Sequence, residues 1–384
     1  MTKLSLILFC AGTFCYGGAQ VAQQPAAPPA RQEGFQRPVK SPEIAPDRHV
    51  TFSLRAPKAS EVMLTGEFMH GSKELTKDAA GVWSVTTDPL PPEIYGYNFT
   101  VDGVKTIDPG NAEVKTGSTA ATIQSLLEVP GDAPAFYDVR SVPHGEIRMI
   151  WYESKSLHTI RRMTIYIPPG FDASGRTRYP TLYLLHGANA DETAWTKLGH
   201  VNLILDNLLS DRKIKPFIVV MPFGYGAPPG TEPFNGSFTG ISDTFSKDLL
   251  GDVIPYVETR FPVYKDRDHR ALAGLSMGGV ESLTIGLNHL EIFSYVAGFS
   301  AAIRPADLTK DFGSFAANPQ EANQKLHLLW LGVGRDDGLF GATDSFAKFL
   351  DTAQIKHTYQ TSEGAHTWIL WRRYLRDFTP LIFQ

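Results

Sequence analysis

The chain has 384 residues, of which 42% are hydrophobic and 20% are charged, and its formal net charge is −4 at pH 7. This length is typical of two domains rather than one, and the composition allows each domain to bury an ordinary hydrophobic core. The small negative charge does not supply the basic surface that nucleic-acid binding requires, so we expect no nucleic-acid partner.

The N-terminus reads MTKLSLILFCAGTFCYGGAQ and has the order of a secretory signal peptide. Lys3 precedes an apolar run that is too short to span a bilayer comfortably, and Gly17 and Ala19 suit the positions before a signal-peptidase cut. Both cysteines of the chain lie in this segment. We therefore expect residues 1–19 to be removed and the mature protein to be exported, to the periplasm or the medium, without a membrane anchor or a disulfide.

Two regions of different composition follow. Residues 20–46 are rich in Pro, Ala and Gln and offer little apolar surface to bury, which predicts a flexible linker. Residues 47–130 contain short alternating runs such as VTFSLRAP, GVWSVTTD and YGYNFTVDG, separated by turn residues every ten or so positions. This spacing is typical of a small β-sandwich.

From residue 131 to residue 384 strand-like runs alternate with helical ones. The strand-like runs are RRMTIYIPP, TLYLLHG, FIVVMPFG, RALAGLS, YVAGFSA and HLLWLGVG, and amphipathic stretches such as FSKDLLGDVIPYVETRF separate them. Buried strands alternating with helices predict an α/β fold with a parallel sheet covered on both faces. Functional sites in such sheets form at the carboxyl ends of the strands.

A candidate nucleophile, Ser276, lies in the sequence GLSMG between a strand-like and a helix-like run. This is the strand–turn–helix context of the G-x-S-x-G nucleophile elbow, in which glycines leave room for a sharp turn that exposes the hydroxyl. The alternative is that the glycines only let a helix pack closely on the sheet. The position after a strand favours the catalytic interpretation.

A serine needs a base and an orienting acid, and in this architecture both follow it in the chain. His366 lies in the loop SEGAHTW after the last strand-like run, where a loop can reach the serine. Asp336 and Asp337 directly follow HLLWLGVG. We favour Asp337 as the acid because it precedes a Gly-Leu-Phe turn, with Asp336 as its rival and Glu363 as a weaker one.

Acyl transfer also needs backbone N–H donors for the oxyanion. We expect them at Met277, which opens the helix after the nucleophile, and at Ala188, in the loop after TLYLLHG. His186 is then a structural histidine, and the mechanism requires no metal or cofactor. Aromatic residues near the predicted strand ends are candidates for substrate contact, with core packing as the alternative. They are Trp195, Phe223, Tyr225, Phe234 and Trp368.

Five segments in order, VPHGEIRMIWYESKSL, MTIYIPPGFD, LYLLHG, AGLSMGG and GAHTWILWRRYL, together resemble carbohydrate esterase family one, the feruloyl and acetylxylan esterases related to esterase D. The resemblance covers about residues 134–383 and implies an α/β-hydrolase fold. It also implies a triad of Ser276, His366 and an aspartate at 336 or 337, with Met277 and Ala188 lining the oxyanion hole. The chain departs from many relatives in having Ala-Asn-Ala after His186-Gly187, where they carry more glycine.

The first domain resembles a family 48 carbohydrate-binding module or the related early-set domains. The segments VMLTGEFM, GVWSVT, YGYNFTVDG and IDPGN carry this likeness, which implies an immunoglobulin-like sandwich. Trp83, Tyr97, Asp102 and Asp108 are then either sugar contacts or framework residues.

These observations predict an exported serine esterase that removes ester decorations from plant cell-wall polysaccharide. The expected partner is feruloylated or acetylated xylan, with feruloyl and other hydroxycinnamoyl esters preferred. The alternatives are an acetylxylan esterase, a siderophore-type esterase, and a non-catalytic glycan-binding protein with a hydrolase-like fold.

Overall fold

The structure, a computed structural model, describes residues 39–115, 122–226 and 239–384. The predicted signal peptide and most of the predicted linker lie outside the described residues. In the described part of the chain, every helix is too short or too polar to cross a bilayer.

The N-terminal region forms two antiparallel sheets that pack on each other. One sheet has the order β1-β2-β6-β5, and the other has the order β4-β3-β7-β10-β9 with β8 paired to β7. The strands are β1 (Glu43–Ile44), β2 (Val50–Arg55), β3 (Val62–Gly66), β4 (Lys73–Glu74), β5 (Thr76–Lys77), β6 (Val82–Thr86), β7 (Glu93–Val101), β8 (Val104–Thr106), β9 (Val114–Lys115) and β10 (Gln124–Val129). The predicted sandwich is therefore present, and β1 lies within the segment predicted as a linker.

The alternation of the strands explains the sandwich core. In β2 the alternate residues Val50, Phe52 and Leu54 are buried between the sheets. The Phe52 ring packs edge to face on Tyr97 of β7, with ring centroids 4.8 Å apart. Such interdigitating inner faces are the normal core of two packed sheets.

The four residues singled out by the family 48 resemblance all make contacts inside the sandwich. The Tyr97 hydroxyl donates to the Asp108 carboxylate at 2.8 Å, and Asp108 is fully buried. Trp83 is 5% exposed and donates its indole N–H to the Ala56 carbonyl. The Asp102 carboxylate accepts two consecutive backbone N–H groups from the loop between β2 and β3. These contacts are those of framework residues.

The C-terminal region contains one eight-stranded sheet in the order β11-β12-β14-β13-β15-β16-β17-β18. Pairing is antiparallel from β11 to β14 and parallel from β14 to β18. The strands are β11 (Glu146–Ser154), β12 (Thr159–Ile167), β13 (Thr181–Leu185), β14 (Ile218–Pro222), β15 (Arg270–Leu275), β16 (Tyr295–Phe299), β17 (Leu328–Gly334) and β18 (Thr358–Ser362). This arrangement confirms the predicted α/β-hydrolase fold.

Helices cover both faces of this sheet. They are α1 (Ala194–Lys197), α2 (Val201–Ser210), α3 (Thr239–Asp248), α4 (Ile254–Arg260), α5 (Met277–Asn288), α6 (Leu308–Ala316), α7 (Pro319–Lys325), α8 (Phe340–Thr352) and α9 (Trp368–Phe378). A π-helical turn, Leu249–Val253, joins α3 to α4. Because β13 continues to β14 on one side and β15 lies on its other side, the sheet order reverses at β13. Ligand sites in open α/β sheets form at this kind of switch point.

Helix α9 connects the two regions. Arg372 of α9 is buried and donates to the Glu93 carboxylate of β7 at 2.8 Å and to the Leu198 carbonyl at 2.8 Å. Ile369 of the same helix packs against the sandwich core. The sandwich is thus in contact with the helix that begins two residues after His366.

Candidate active site

Ser276 lies at the sharp turn between β15 and α5. Its backbone has φ 53° and ψ −114°, a conformation that L residues rarely adopt. The flanking glycines make this turn possible, because a Cβ on Gly274 would lie 2.3 Å from the Gly278 carbonyl oxygen and one on Gly278 would lie 2.4 Å from the His186 carbonyl oxygen. The sequence therefore folds here into the geometry of a nucleophile elbow.

The structure brings the three predicted triad residues together from distant parts of the chain. Ser276 Oγ lies 3.0 Å from His366 Nε2, and His366 Nδ1 lies 2.9 Å from Asp337 Oδ2. With the Nδ1–H tautomer, His366 donates to Asp337 and accepts the Ser276 hydroxyl. Each residue follows a strand of the parallel sheet, namely β15 for the serine, β17 for the aspartate and the neighbouring β18 for the histidine.

The two adjacent aspartates have different environments. The Asp337 side chain is fully buried, and its Oδ1 also accepts the backbone N–H of Leu339 at 2.8 Å. Burial alone would raise the pKa of Asp337, but the hydrogen bonds from His366 and Leu339 lower it below its ordinary value. Asp336 instead accepts the Gly364 backbone N–H at 3.2 Å, and Glu363 is exposed and paired with Arg335. Among the three candidate acids, only Asp337 contacts His366 in the described structure.

The predicted oxyanion donors lie on both sides of the serine. Met277 is the first residue of α5, and the first N–H groups of a helix have no partner within it. Gly187, which precedes Ala188, is so close to the nucleophile that a Cβ on it would lie 3.2 Å from the Ser276 Cβ. Because β13 and β15 are adjacent, the Ala188 loop and the elbow emerge side by side.

His186 is a structural residue of this site. It is 1% exposed, its Nδ1 lies 2.8 Å from the Gly187 carbonyl oxygen, and its Nε2 accepts the Gly224 N–H at 2.9 Å. Burial lowers the pKa of His186 to about 4, so the ring is neutral near pH 7 and Nδ1 carries the proton. The imidazole therefore joins the loops that follow β13 and β14.

The aromatic residues predicted to contact substrate have other surroundings. Trp195 is 1% exposed and donates its indole N–H to the Leu185 carbonyl, and Trp368 is 6% exposed. The two indoles pack edge to face at 5.2 Å between centroids. Both are core residues in this structure, in agreement with the alternative of core packing, because α1 and α9 bury them against each other. Phe234 lies outside the described residues.

Two polar residues at this edge of the sheet have surroundings that the sequence did not indicate. Tyr225 was expected only as an aromatic candidate for substrate contact, and Glu281 was not among the predicted site residues. The Tyr225 hydroxyl accepts the backbone N–H of Asn189, and Glu281 of α5 is fully buried near Gly224. Asn189 and Gly224, the residues next to them, lie in other parts of the chain, and no local motif indicates such contacts.

The protein belongs to the Esterase family, whose family model matches residues 154–381. It is 33% identical over 367 residues, 93% of this chain, to an endo-1,4-beta-xylanase/feruloyl esterase of Xylanibacter ruminicola. It is 32% identical over 171 residues, 43% of this chain, to an esterase of Mycobacterium tuberculosis. The chain covers only 47% of the first relative and 34% of the second, so it is similar to a part of each.

Solved structures agree with this assignment. The ferulic acid esterase of Anaeromyces mucronatus, a member of carbohydrate esterase family one, is 25% identical, with a TM-score of 0.57, over 67% of this chain and 98% of its own. The enterochelin esterase of Shigella flexneri has a TM-score of 0.67 over 89% of this chain and 94% of its own, at 19% identity, which shows a shared fold. The resemblance to carbohydrate esterase family one is confirmed.

Proposed function

We propose that the protein is an exported serine esterase that hydrolyses ester decorations on xylan, with feruloyl esters as the preferred substrates. The observation that carries the proposal is the continuous contact from Ser276 Oγ through His366 to Asp337, at 3.0 and 2.9 Å. Nucleophile, base and acid within hydrogen-bond reach of one another are the signature of an activated serine. A non-catalytic glycan-binding protein has no need of all three.

In the proposed mechanism His366 Nε2 takes the hydroxyl proton as Ser276 Oγ attacks the carbonyl carbon of the ester. The Met277 and Ala188 N–H groups stabilise the oxyanion, each worth about 3 kcal/mol by the precedent of other oxyanion holes. His366 then protonates the departing sugar alkoxide and leaves an acyl-enzyme. A water molecule, deprotonated by His366, releases the acid and restores the serine. Asp337 keeps the imidazole in the Nδ1–H tautomer throughout.

The preference for feruloyl groups rests on the relatives. A protein named as a xylanase and feruloyl esterase is 33% identical over nearly the whole chain, and a structure described with bound ferulic acid is 25% identical. Export rests on the predicted signal peptide. Acetyl groups on xylan are the second candidate acyl portion, since an acetyl esterase of Caldicellulosiruptor saccharolyticus is also a relative, at 22% identity over 51% of this chain.

The test is a substrate comparison with purified protein. Wild type is expected to release ferulate from methyl ferulate and from feruloylated xylan faster than acetate from acetylated xylan, and Ser276→Ala is expected to be inactive on all of them with an unchanged thermal unfolding midpoint. A catechol siderophore ester serves as a fourth substrate. Turnover of none of these esters by wild type would exclude the esterase proposal, and faster turnover of acetylated xylan or of the siderophore would reassign its substrate.

A further inference from the structure

Two hydrogen bonds join the loop after β13 to the loop after β14. The Asn189 backbone N–H donates to the Tyr225 hydroxyl oxygen at 2.6 Å, and the Gly224 backbone N–H donates to His186 Nε2 at 2.9 Å. The rings of Tyr225 and His186 also contact each other, with centroids 5.7 Å apart. The second loop therefore holds the first at two points, one on each side of Ala188.

These contacts fix the two peptide groups that flank Ala188. The His186 ring donates to the Gly187 carbonyl, and a peptide group is planar and trans, so the Ala188 N–H must point in the opposite direction. The Tyr225 hydroxyl holds the next peptide group through the Asn189 N–H. The direction of the Ala188 N–H is thus fixed by contacts of the peptide group before Ala188 and of the one after it.

The conformation of Asn189 explains why a second contact is needed. Its φ is 60°, in the left-handed region, which L residues adopt rarely and asparagine more readily than most. Glycine would take this conformation unaided, but the loop reads Ala188-Asn189-Ala190. An external hydrogen bond can hold the turn where its own residues do not favour it.

Tyr225 is itself anchored by a buried ion pair. The Arg161 guanidinium donates to the carbonyl oxygens of Phe223 and of Tyr225, the latter at 2.7 Å. Arg161 lies 2.9 Å from the Asp248 carboxylate, and both side chains are fully buried. The backbone on both sides of Gly224 is therefore held in place beneath the loop, and the Tyr225 hydroxyl has a defined position.

We propose that Tyr225 is a positioning residue for the oxyanion hole: its hydroxyl holds the Ala188–Asn189 peptide so that the Ala188 N–H faces the oxyanion formed at Ser276. Tyr225 acts through the loop and does not touch the reacting atoms. The inference rests on the proposed function, since it assigns a role within that reaction. The contact with Tyr225 thus supports a loop that reads Ala-Asn-Ala and is not rich in glycine.

The test measures how fast a fluorophosphonate labels Ser276, by intact mass. In this reaction Ser276 Oγ bonds to phosphorus, fluoride leaves, His366 takes the proton, and the phosphoryl oxygen occupies the oxyanion hole. Removing a whole oxyanion donor costs about 10²–10³ in rate, so losing one support of a donor is expected to slow labelling by Tyr225→Phe about tenfold. The kcat for 4-nitrophenyl acetate is expected to fall by a similar factor, with KM changed by less than about twofold, because the interaction is made only in the transition state.

A matched control is available at Tyr179. Its hydroxyl also accepts one backbone N–H, from Asp172 at 2.9 Å, but it lies just before the amino-terminal end of β13, away from the elbow. Tyr179→Phe is expected to label at the wild-type rate. Equal slowing in both variants would mean that the effect is a general loss of stability, and would overturn the inference.

A second variant separates positioning from packing. In the double variant Tyr225→Phe/Asn189→Gly, glycine takes the positive φ without the hydroxyl, so labelling is expected to recover at least a part of the lost rate. Slow labelling with no recovery would show that the loss does not act through residue 189 and would overturn the inference. Thermal unfolding midpoints of all variants confirm that folded proteins are compared.

The results also separate this inference from the proposed function. If wild-type protein is labelled and hydrolyses esters, and Tyr225→Phe is labelled at the same rate, then Tyr225 does not position the oxyanion hole. The esterase proposal would still hold in that case. If wild-type protein is neither labelled nor active on esters, both the esterase proposal and the role of Tyr225 are wrong.

Discussion

Asp336 and Asp337 are neighbours in the chain, but their carboxylates have different partners. Asp337 is buried against His366, whereas Asp336 is exposed and accepts the Gly364 N–H at 3.2 Å. Loss of the triad carboxylate in a serine protease lowers kcat by about 10⁴, because the histidine then adopts the wrong tautomer. We expect a fall of about this size for Asp337→Asn, measured as kcat on 4-nitrophenyl acetate. Asp336→Asn is the control and should stay within about threefold of wild type, and the reverse order would assign the acid to Asp336.

The surroundings of Glu281 determine whether its carboxyl group is protonated. It is fully buried, and neither carboxylate oxygen has a hydrogen-bond partner among the described residues. Burial raises the pKa of Glu281 well above its ordinary value, while the Arg161 charge opposes this only in part. Above the ordinary pKa of glutamate, the folded protein therefore keeps the Glu281 proton that the unfolded chain releases. The free energy of unfolding consequently falls as the pH rises above that ordinary pKa.

Glu281→Gln removes this dependence of the free energy of unfolding on pH, because an amide does not titrate. We expect the free energy of unfolding of the variant, relative to wild type, to rise as the pH increases above the ordinary pKa of glutamate, by at most about 1.4 kcal/mol per pH unit. Urea unfolding at a series of pH values measures this difference. A pH-independent difference for Glu281→Gln would mean that Glu281 is ionised in the folded protein.

For single residues, the sequence predicted some of the observed positions and contacts but not others. The proximity of Ser276, Asp337 and His366 could be predicted because each lies in the loop that follows a strand, and strand ends have local signals in the chain. The burial of Trp195 and Trp368 could not be predicted, because it depends on which helices pack over them. The contact of Tyr225 with Asn189 and the burial of Glu281 could not be predicted for the same reason, since both depend on residues of other elements.

Strand β15 and helix α5 meet with almost no space between them. A Cβ on Gly274 would lie 2.3 Å from a backbone oxygen of α5, which a side-chain rotation cannot relieve. Overpacking of a core typically costs 1–3 kcal/mol, so we expect Gly274→Ala to lower the free energy of unfolding by about 3 kcal/mol. Urea unfolding measures this difference.

Gly341 is the matched control for this substitution. It lies in α8, and a Cβ there would meet no atom within 4 Å. Gly341→Ala should leave the protein as stable or stabilise it by up to ~1 kcal/mol, because alanine is the better helix former. Equal stabilities of the two alanine variants would contradict the close approach of strand and helix at the elbow.

The order of strands and helices along the chain could be predicted from the sequence, but the first strand of the sandwich could not. Buried strands alternating with amphipathic helices indicated the α/β sheet, and short alternating strands indicated the sandwich. Strand β1 was included in the predicted linker because its two residues, Glu43–Ile44, are too few to show any period. Their pairing with β2 is a tertiary contact that composition does not report.

For the whole molecule, the contact between Arg372 and Glu93 joins the sandwich to the esterase region. The two side chains are 1% and 5% exposed, so removing either leaves a buried charge with fewer partners. Breaking a buried ion pair costs about 3–5 kcal/mol, and we expect this loss in Glu93→Ala, measured by urea unfolding. Arg373 also pairs with Glu93 but is 43% exposed, and Arg373→Ala should cost less than about 1 kcal/mol. Similar losses in the two variants would show that the Arg372 contact is not the dominant one.

A serine esterase mechanism requires that Ser276 becomes acylated by its ester substrate, and this acyl-enzyme can be trapped. Wild-type protein is mixed with methyl ferulate, quenched in acid within one turnover, digested and analysed by mass spectrometry. We expect a feruloyl group on the peptide that contains Ser276, and none on that peptide in Ser276→Ala. Ester turnover by wild type with no acyl group on Ser276, or with the group on another residue, would show that Ser276 is not the nucleophile.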